Sequence, residues 1–189
     1  MSKRDCDVIV VGAGNAAFCA AFAAQEGGAK VIMLERAPEP ENGGNSRFTA
    51  GAIRFAYNGL DDLKTIMPDL SAEEIERTDF GSYTSEQFFD DMFRVTQFRT
   101  DPVHVETLVT KSYATLSWMR EKGVRFVPIY GRQAFKVNGR FKFWGGLTVE
   151  AWGGGEGLVD MLTKAALREG IQIHYDTRAV ELLFDGVDV

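Results

Sequence analysis

The residues of clearest chemical meaning lie near the start of the chain, directly after a short β-branched run. Gly12, Gly14 and Ala17 have the spacing of a dinucleotide-binding fingerprint in which alanine takes the place of the third glycine. The first glycine permits a tight turn, the second lets the backbone approach a pyrophosphate, and the small third residue keeps the helix close to the strand. Asn15 and Ala16 stand at the predicted helix N-terminus, whose amides and dipole attract phosphate. The segment therefore predicts a phosphate-binding turn.

A carboxylate follows at the distance where such sites bind a ribose. Glu35 ends a second apolar run about twenty residues after the fingerprint, and its oxygens can accept hydrogen bonds from ribose hydroxyls. Arg36 follows it, and we include both residues among the expected cofactor contacts. A carboxylate here disfavours the extra phosphate of NADP, whereas FAD and NAD both remain compatible. An ordinary βα turn with a surface glutamate is the structural alternative.

The glycine-rich loop that follows distinguishes between FAD and NAD as the expected cofactor. Its glycines can bring the backbone close to a ligand, and Asn45 and Ser46 offer short side chains for hydrogen bonding. A plain NAD dehydrogenase has no use for such a loop, so the sequence favours FAD. The expected contacts from this loop are Gly43, Gly44, Asn45, Ser46, Ala50 and Gly51.

These segments, together with Glu35, resemble the flavoproteins of the fumarate reductase and succinate dehydrogenase family, and the similarity covers almost the whole chain. Within that family, the segments Gly14–Ala17, Trp118–Val124 and Trp152–Leu158 are most similar to FAD-dependent tricarballylate dehydrogenases. The resemblance implies hydride transfer between FAD and the α,β carbons of a di- or tricarboxylate. For tricarballylate this is oxidation to cis-aconitate. The family's catalytic residues would lie beyond Val189, so none is assigned.

The resemblance also implies how the cofactor and its partners are held. Membrane-bound relatives attach FAD through a histidine in the loop that corresponds to residues 43–51. Here this loop contains Asn45 and no histidine, which implies that FAD is bound noncovalently. Backbone groups near Val180 would bind adenine. Arg47 and Arg54 are the better candidates for clamping substrate carboxylates, ahead of the arginines of a predicted hairpin. A redox partner that accepts electrons is also implied.

The elements that must position these residues alternate as in an α/β protein. Strand Asp7–Val11, helix Ala16–Gln25 and strand Lys30–Glu35 form a predicted βαβ unit with a parallel sheet. Residues 37–51 read as a loop. A helix over Leu158–Arg168 leads into a returning strand, Ile171–Tyr175. The fold class is therefore α/β, a Rossmann-like FAD-binding fold with an inserted helical and β-hairpin region.

The inserted region and the domain limits follow from capping and turn signals. A helix is predicted from Pro102 to Lys122, with Val105, Leu108, Val109, Leu116 and Met119 on its apolar face, and Asn138-Gly139 predicts a hairpin. The FAD-binding domain is predicted over residues 1–60, interrupted by 61–151 and resumed over 152–189. A strand from Ala179, a turn at Asp185-Gly186 and the start of a partner strand indicate a C-terminally truncated chain.

Composition limits the classes of partner. The 189 residues include 21 Lys and Arg and 27 Asp and Glu, and the resulting net charge of -6 argues against a nucleic-acid partner. No apolar run is long enough to span a bilayer, and no signal peptide is evident. Cys6 and Cys19 read as buried thiols in a reducing compartment, which predicts a cytoplasmic location, and no metal-binding group is expected.

Three functions are compatible with these observations. The first is oxidation of a tricarboxylate such as tricarballylate, which makes the chain part of an FAD-dependent dehydrogenase. The second is another member of the same family, acting on fumarate-like or ketosteroid-like compounds. The third is a nonenzymatic FAD-binding module or an inactive fragment. The glycines at 153–155 add a further hypothesis, that their amides bind a carboxylate or contact FAD.

Overall fold

The computed structural model describes residues 6–183, which divide into two compact units. The first unit contains the chain up to Thr49 and from Gly153 onward, and the second is Ala50–Trp152. In chain order the elements are β1 (Val8–Val11), α1 (Asn15–Glu26), β2 (Val31–Leu34), a 3-10 turn (Glu39–Glu41), α2 (Gly44–Arg47), β3 (Ala52–Arg54), α3 (Leu60–Ile66), α4 (Ala72–Arg77), α5 (Ser85–Val95), α6 (Pro102–Glu121), β4 (Phe126–Pro128), α7 (Tyr130–Gln133), β5 (Ala134–Val137), β6 (Arg140–Phe143), β7 (Thr148–Ala151), α8 (Gly154–Arg168) and β8 (Gln172–His174).

The first unit is built on a parallel sheet in the order β1-β2-β8. Val8 pairs with Val31, and Ile32 pairs with Gln172. In the central strand β2, the consecutive residues Val31, Ile32 and Met33 are all buried. A parallel strand that is covered on both faces needs such a continuous apolar run. The predicted α/β fold with a parallel sheet is confirmed.

Helices α1 and α8 supply the apolar cover of the first unit. Phe18 and Phe22 are fully buried on α1, and their ring centroids lie 6.4 Å apart. Leu158 and Leu162 are buried on α8. Both α1 and α8 begin after a glycine and lack a side-chain cap. The start of α8 was predicted at Leu158, four residues too late, because three glycines do not normally open a helix.

Three further predictions about the first unit are wrong. Residues 37–51 are not a plain loop, since they contain the 3-10 turn and α2. Residues 179–183 form no strand, and the predicted turn at 185–186 lies outside the described residues. Cys6 and Cys19 were predicted to be buried, and both are only partly buried.

The second unit contains an antiparallel sheet in the order β3-β7-β4. Its core includes Tyr57, whose hydroxyl donates to the Phe80 carbonyl at 2.6 Å and accepts from the Leu147 amide at 2.8 Å. The hairpin β5-β6 turns at Asn138 and Gly139, with φ of 51° and 81°. Positive φ at both residues is what a type I′ turn requires, and this explains the predictive strength of Asn-Gly.

Three helices of the second unit, α4, α5 and α6, begin at side-chain caps. Ser71 and Thr84 form capping boxes with Glu74 and Gln87, and Asp101 accepts hydrogen bonds from two amides at the start of α6. The predicted apolar face of α6 is buried except for Leu108, which is exposed. None of the helices formed by residues 6–183 combines the length and the apolar character needed to cross a bilayer.

A buried tyrosine gives the second unit a pH-dependent stability. The Tyr83 hydroxyl donates to Asp91 Oδ2 at 2.8 Å, and the Arg54 guanidinium lies 4.7 Å from the ring centroid. Burial, followed by the hydrogen bond to Asp91, raises the pKa of Tyr83 from 10.0 to about 12. The folded protein therefore holds this proton more tightly than the unfolded chain does, and this stabilisation is lost as the pH rises from about 10 to about 12.

We predict that Tyr83→Phe removes this part of the pH dependence. The measurement is the free energy of unfolding in urea at several pH values between about 9 and 12, a window that follows from the raised pKa. At neutral pH the variant should lose about 1 kcal/mol, the usual contribution of one hydrogen bond. Tyr113→Phe, which also removes one phenol hydroxyl, is the matched control. Equal alkaline slopes in Tyr83→Phe and the wild type would contradict the prediction.

Candidate cofactor site

The turn after β1 has the geometry that the fingerprint predicts. Gly12 has φ +110°, and a Cβ placed on it would lie 3.9 Å from the Ala17 Cβ. The Gly12 amide donates to the Leu34 carbonyl at 2.8 Å, which fixes the turn to the end of β2. Strand β1 therefore passes into α1 through a turn that suits glycine because of its positive φ.

The second glycine of the fingerprint contacts the segment 43–46, as a shared phosphate site would require. The Asn15 amide donates to Ser46 Oγ at 3.0 Å. A Cβ on Gly14 would lie 3.3 Å from Ser46 Oγ and 3.4 Å from the Gly43 carbonyl oxygen, tighter than most Cβ contacts. The next amides of α1, at Ala16 and Ala17, have no acceptor within the helix because the first turn never does. They form a site for an anion.

Glu35 occupies a defined position beside this turn. Its side chain is buried, Oε2 accepts from the Ala13 amide at 2.8 Å, and Oε1 accepts from the Ala37 amide at 2.8 Å. An ionised carboxylate has about four lone-pair positions, so each oxygen can accept a further hydrogen bond. The two backbone amides therefore orient Glu35 and leave it able to accept from a diol.

A small cavity of about 220 Å³ lies against Glu35. Its lining combines the end of β1, the end of β2 and a segment after β8. These residues are Val11, Gly12, Leu34, Glu35, Arg36, Thr177, Arg178 and Ala179. The cavity thus brings the predicted residues Glu35 and Arg36 together with Gly12 of the fingerprint. Val180 does not line the cavity and is 84% exposed.

A larger cleft of about 530 Å³ also lies in the first unit, but its charges suit a phosphate less well. It is lined by Arg47 and by the carboxylates of Glu39, Glu156 and Asp160. The Arg47 guanidinium is 3.5 Å from Glu156, so the positive charge of the cleft is already compensated. Because three carboxylates repel an anion, the smaller cavity beside the fingerprint is the better nucleotide site.

The family of the chain follows from comparison with known sequences. Residues 7–189 match the family model described as FAD binding domain. The chain belongs to this FAD binding domain family. The geometry fits that cofactor, since the first amides of α1 are able to bind a phosphate and Glu35 retains acceptor capacity for a ribose.

Two sequence and structure relatives of this FAD-binding chain are fumarate reductases. The chain is 31% identical over 179 residues to a protein of Shewanella frigidimarina called fumarate reductase (cytochrome), covering 95% of this chain and 28% of that protein. The open conformation of a flavocytochrome c3 fumarate reductase matches with a TM-score of 0.66 and 26% identity, covering 96% of this chain and 28% of the other. The FAD-binding chain therefore spans less than a third of their length.

A 3-ketosteroid-delta4-(5alpha)-dehydrogenase from Rhodococcus jostii RHA1 shares the fold of this chain. Its TM-score is 0.64 at 20% identity, and the match covers 93% of this chain and 39% of the other. At that identity the likeness concerns the fold alone.

The glycine that opens the tightest contact at the start of α8 has a structural explanation within the FAD-binding fold. The Gly155 amide donates to the Thr49 carbonyl at 3.0 Å. A Cβ on Gly155 would lie 2.2 Å from the Ser46 carbonyl oxygen and 2.7 Å from that of Arg47. The first turn of α8 thus packs directly on the backbone around α2. Backbone contact of this closeness explains Gly155 without any ligand.

The remaining predicted residues lie in the second unit. Gly51 has φ +65°, and its carbonyl accepts from the Ala151 amide at 2.9 Å. Arg54 donates to the Gly145 carbonyl and stacks on Tyr83. Ala50 begins this unit. Arg54, predicted as a carboxylate clamp, is thus engaged by its own unit. Val11 and Leu34, which line the smaller cavity, were not predicted, since a strand end gives no signal of lining a cavity.

Proposed function

We propose that this chain is the FAD-binding part of an oxidoreductase that transfers hydride between the flavin and the α,β carbons of a small di- or tricarboxylate. The observation that carries the proposal is the meeting of the fingerprint turn, Ser46 and Glu35 at the carboxyl end of the parallel sheet. Ligands of open α/β sheets bind at that end. The similarity to fumarate reductases supports the reaction class.

The chain's own residues bind and orient the cofactor. The first amides of α1 bind the pyrophosphate. The Ser46 hydroxyl accepts a hydrogen bond from the Asn15 amide and so holds segment 43–46 against the start of α1. The Glu35 carboxylate accepts hydrogen bonds from the ribose hydroxyls. FAD, when bound, supplies the two-electron chemistry. We propose that Gly43 to Gly51 contact the cofactor and that the attachment is noncovalent, because this segment contains no histidine.

The substrate class is proposed from the relatives. Fumarate is named by two of them, and it shares vicinal carboxylates with tricarballylate. Tricarballylate oxidation remains our specific candidate, supported by the sequence segments around Trp118 and Trp152. Arg47 and Arg54 are the proposed carboxylate contacts, which requires Arg47 to exchange Glu156 for substrate. We further propose a redox partner, membrane-bound or soluble, that accepts the electrons. We also propose a cytoplasmic location, supported by the two free cysteines.

A second candidate is an FAD-binding unit without turnover of its own. It is favoured by the 28% share of the Shewanella relative that the chain covers. The two candidates agree on FAD and differ on activity, so they are separated by adding tricarballylate anaerobically and recording the flavin spectrum. Bleaching by the 189-residue chain would exclude the second candidate.

The first test of the proposal is retention of FAD. The purified chain is incubated with FAD and desalted, and absorbance between about 350 and 500 nm is recorded for flavin bands. We expect bands in the protein fraction that move entirely to the small-molecule fraction on denaturation. The same incubation with a large excess of NAD is the control for cofactor class. Displacement by NAD would contradict FAD as the ligand, and bands that stay with denatured protein would contradict noncovalent binding.

A further inference from the structure

Three of the five asparagines in the chain are followed by glycine, at Asn42, Asn58 and Asn138. This dipeptide has a chemistry of its own. The backbone nitrogen of the glycine can attack the side-chain carbonyl carbon of the asparagine, because glycine has no Cβ to obstruct the approach. All three sites share this pair of residues, so the fold decides which of them can react.

The first of these asparagines is held inside the first unit. The Asn42 side chain is 5% exposed, and its Nδ2 donates to the Tyr175 hydroxyl at 3.2 Å. Gly43 has φ +100°, and a Cβ placed on it would lie 2.6 Å from Val159 Cγ2, so the attacking residue is also closely packed. Cyclisation at Asn42 requires both residues to rotate, which needs local unfolding of the unit.

The second asparagine is exposed, but a neighbouring carboxylate restrains it. The Asn58 backbone amide donates to Asp62 Oδ2 at 2.7 Å, and Asn58 Nδ2 donates to the same oxygen at 3.4 Å. The next residue is restrained too, because the Gly59 carbonyl accepts from the Leu63 amide at 3.3 Å. The first turn of α3 must therefore open before Asn58 can turn toward the Gly59 nitrogen.

The third asparagine lies at the tip of the β5-β6 hairpin and has neither kind of restraint. Asn138 and Gly139 are both exposed, and no heavy atom lies within 4 Å of a Cβ placed on Gly139. The Asn138 side chain makes no hydrogen bond to any of residues 6–183. Only the two-residue turn itself must open, and the tip of a hairpin opens at a small cost in free energy.

We propose that Asn138 is a site of spontaneous deamidation in the folded protein and that it reacts before Asn58 and Asn42. The Gly139 nitrogen forms a bond to Asn138 Cγ, and the side-chain nitrogen leaves as ammonia with the proton from Gly139. Water then opens the cyclic imide at either carbonyl, which gives aspartate or isoaspartate. One water is consumed and one ammonia is released. This modification goes beyond FAD binding and does not depend on it.

The two products have different consequences for the hairpin. Asn138 has φ 51°, in the left-handed region that asparagine and aspartate both tolerate, so the aspartate product keeps the turn. Isoaspartate adds a methylene group to the main chain. Because the length of a hairpin turn fixes the register of its strands, the added group disrupts the pairing of Val137 with Arg140 across the turn.

Loss of this register affects the segment that packs beside β6 in the second unit. The Asp79 amide donates to the Phe141 carbonyl at 2.8 Å, and the Lys142 ammonium lies 2.9 Å from Asp79 Oδ2. Arg140 donates to the Thr78 carbonyl at 2.8 Å. These contacts join Thr78 and Asp79 to β6. The isoaspartate product therefore loosens this segment, whereas the aspartate product leaves it in place.

The test follows the three asparagines in one sample. The 189-residue chain is incubated at neutral pH and digested at intervals, and deamidation is recorded by mass spectrometry as a gain of about 1 Da. Peptides with aspartate and isoaspartate have equal mass and are separated by chromatography. We expect Asn138 to convert about tenfold faster than Asn58, with Asn42 the slowest, in the order of their restraints.

The same chain in urea is the control for sequence alone. Unfolding removes the restraints on all three sites, so their rates should agree within about threefold. Equal rates at Asn138 and Asn58 in the folded chain would overturn the proposed site. Conversion of Asn138 in urea but not in the folded chain would overturn it as well. Because FAD retention is measured separately, either failure leaves the proposed cofactor untouched.

The effect on the hairpin is measured by hydrogen exchange of the Asp79 amide. Its protection should fall about tenfold in the fraction that carries isoaspartate at position 138. The matched control is Asn138→Asp, which adds the same charge without the extra methylene and should keep the protection of the wild type. Equal protection in the isoaspartate fraction and in Asn138→Asp would overturn the proposed effect of isoaspartate on the hairpin.

Discussion

Gly155→Ala is expected to destabilise the FAD-binding unit by roughly 3 kcal/mol, at the upper end of what overpacking costs. The added methyl would lie 2.2 Å from the Ser46 carbonyl oxygen and 2.7 Å from the Thr49 carbonyl oxygen. Both are backbone atoms and cannot rotate away, so α8 must shift from α2. The melting temperature should fall by about 10 °C, since a chain of this size loses about 2–4 °C per kcal/mol.

A matched control separates this contact from the general effect of adding a methyl group. Gly131 lies in α7 and has no heavy atom within 4 Å of an added Cβ. Gly131→Ala should change stability by less than about 1 kcal/mol, because alanine is the better helix former. Differential scanning calorimetry of both variants makes the comparison. Equal melting temperatures for Gly155→Ala and the wild type would show that α8 does not pack on α2 this closely.

The same glycines show where sequence reasoning succeeds and fails. The βαβ unit was predictable because Val8–Val11 and Val31–Leu34 are short apolar, β-branched runs on either side of a stretch of good helix formers. The start of α8 was not, since glycine is a poor helix former and Gly154 and Gly155 enter the helix only because its first turn contacts Thr49. That contact is a tertiary one, and helix propensity, which depends only on the local sequence, cannot predict it.

In the candidate cofactor site, too, some features could be predicted from the local sequence and others depend on tertiary contacts. Glu35 could be predicted from its spacing, because the separation between fingerprint and carboxylate is fixed by one helix and two strands. Its two amide donors, Ala13 and Ala37, could not be named, since any residue type supplies an N–H. The packing of Arg54 could not be predicted either, since its stacking on Tyr83 depends on a residue distant in sequence.

Removal of the Glu35 carboxylate should affect FAD affinity and stability together. Glu35→Ala leaves the buried Ala13 amide and the partly buried Ala37 amide without their acceptor, and each hydrogen bond to a charged group contributes about 1.5–3 kcal/mol. We expect the apo chain to lose about 3 kcal/mol in urea unfolding. FAD affinity should fall by about 30-fold, which corresponds to about 2 kcal/mol of ribose contact.

Glu35→Gln distinguishes the two roles, because it keeps the shape of the side chain. Its amide nitrogen is a donor and faces a backbone N–H, so one of the two hydrogen bonds is lost and the stability loss should be about half that of Glu35→Ala. Asp160→Asn, which removes a carboxylate from the larger cleft, is the control and should leave FAD affinity unchanged. Isothermal titration with FAD measures all three variants. If Asp160→Asn weakened FAD and Glu35→Ala did not, the larger cleft would be the cofactor site, and the fingerprint turn would serve only to join β1 to α1.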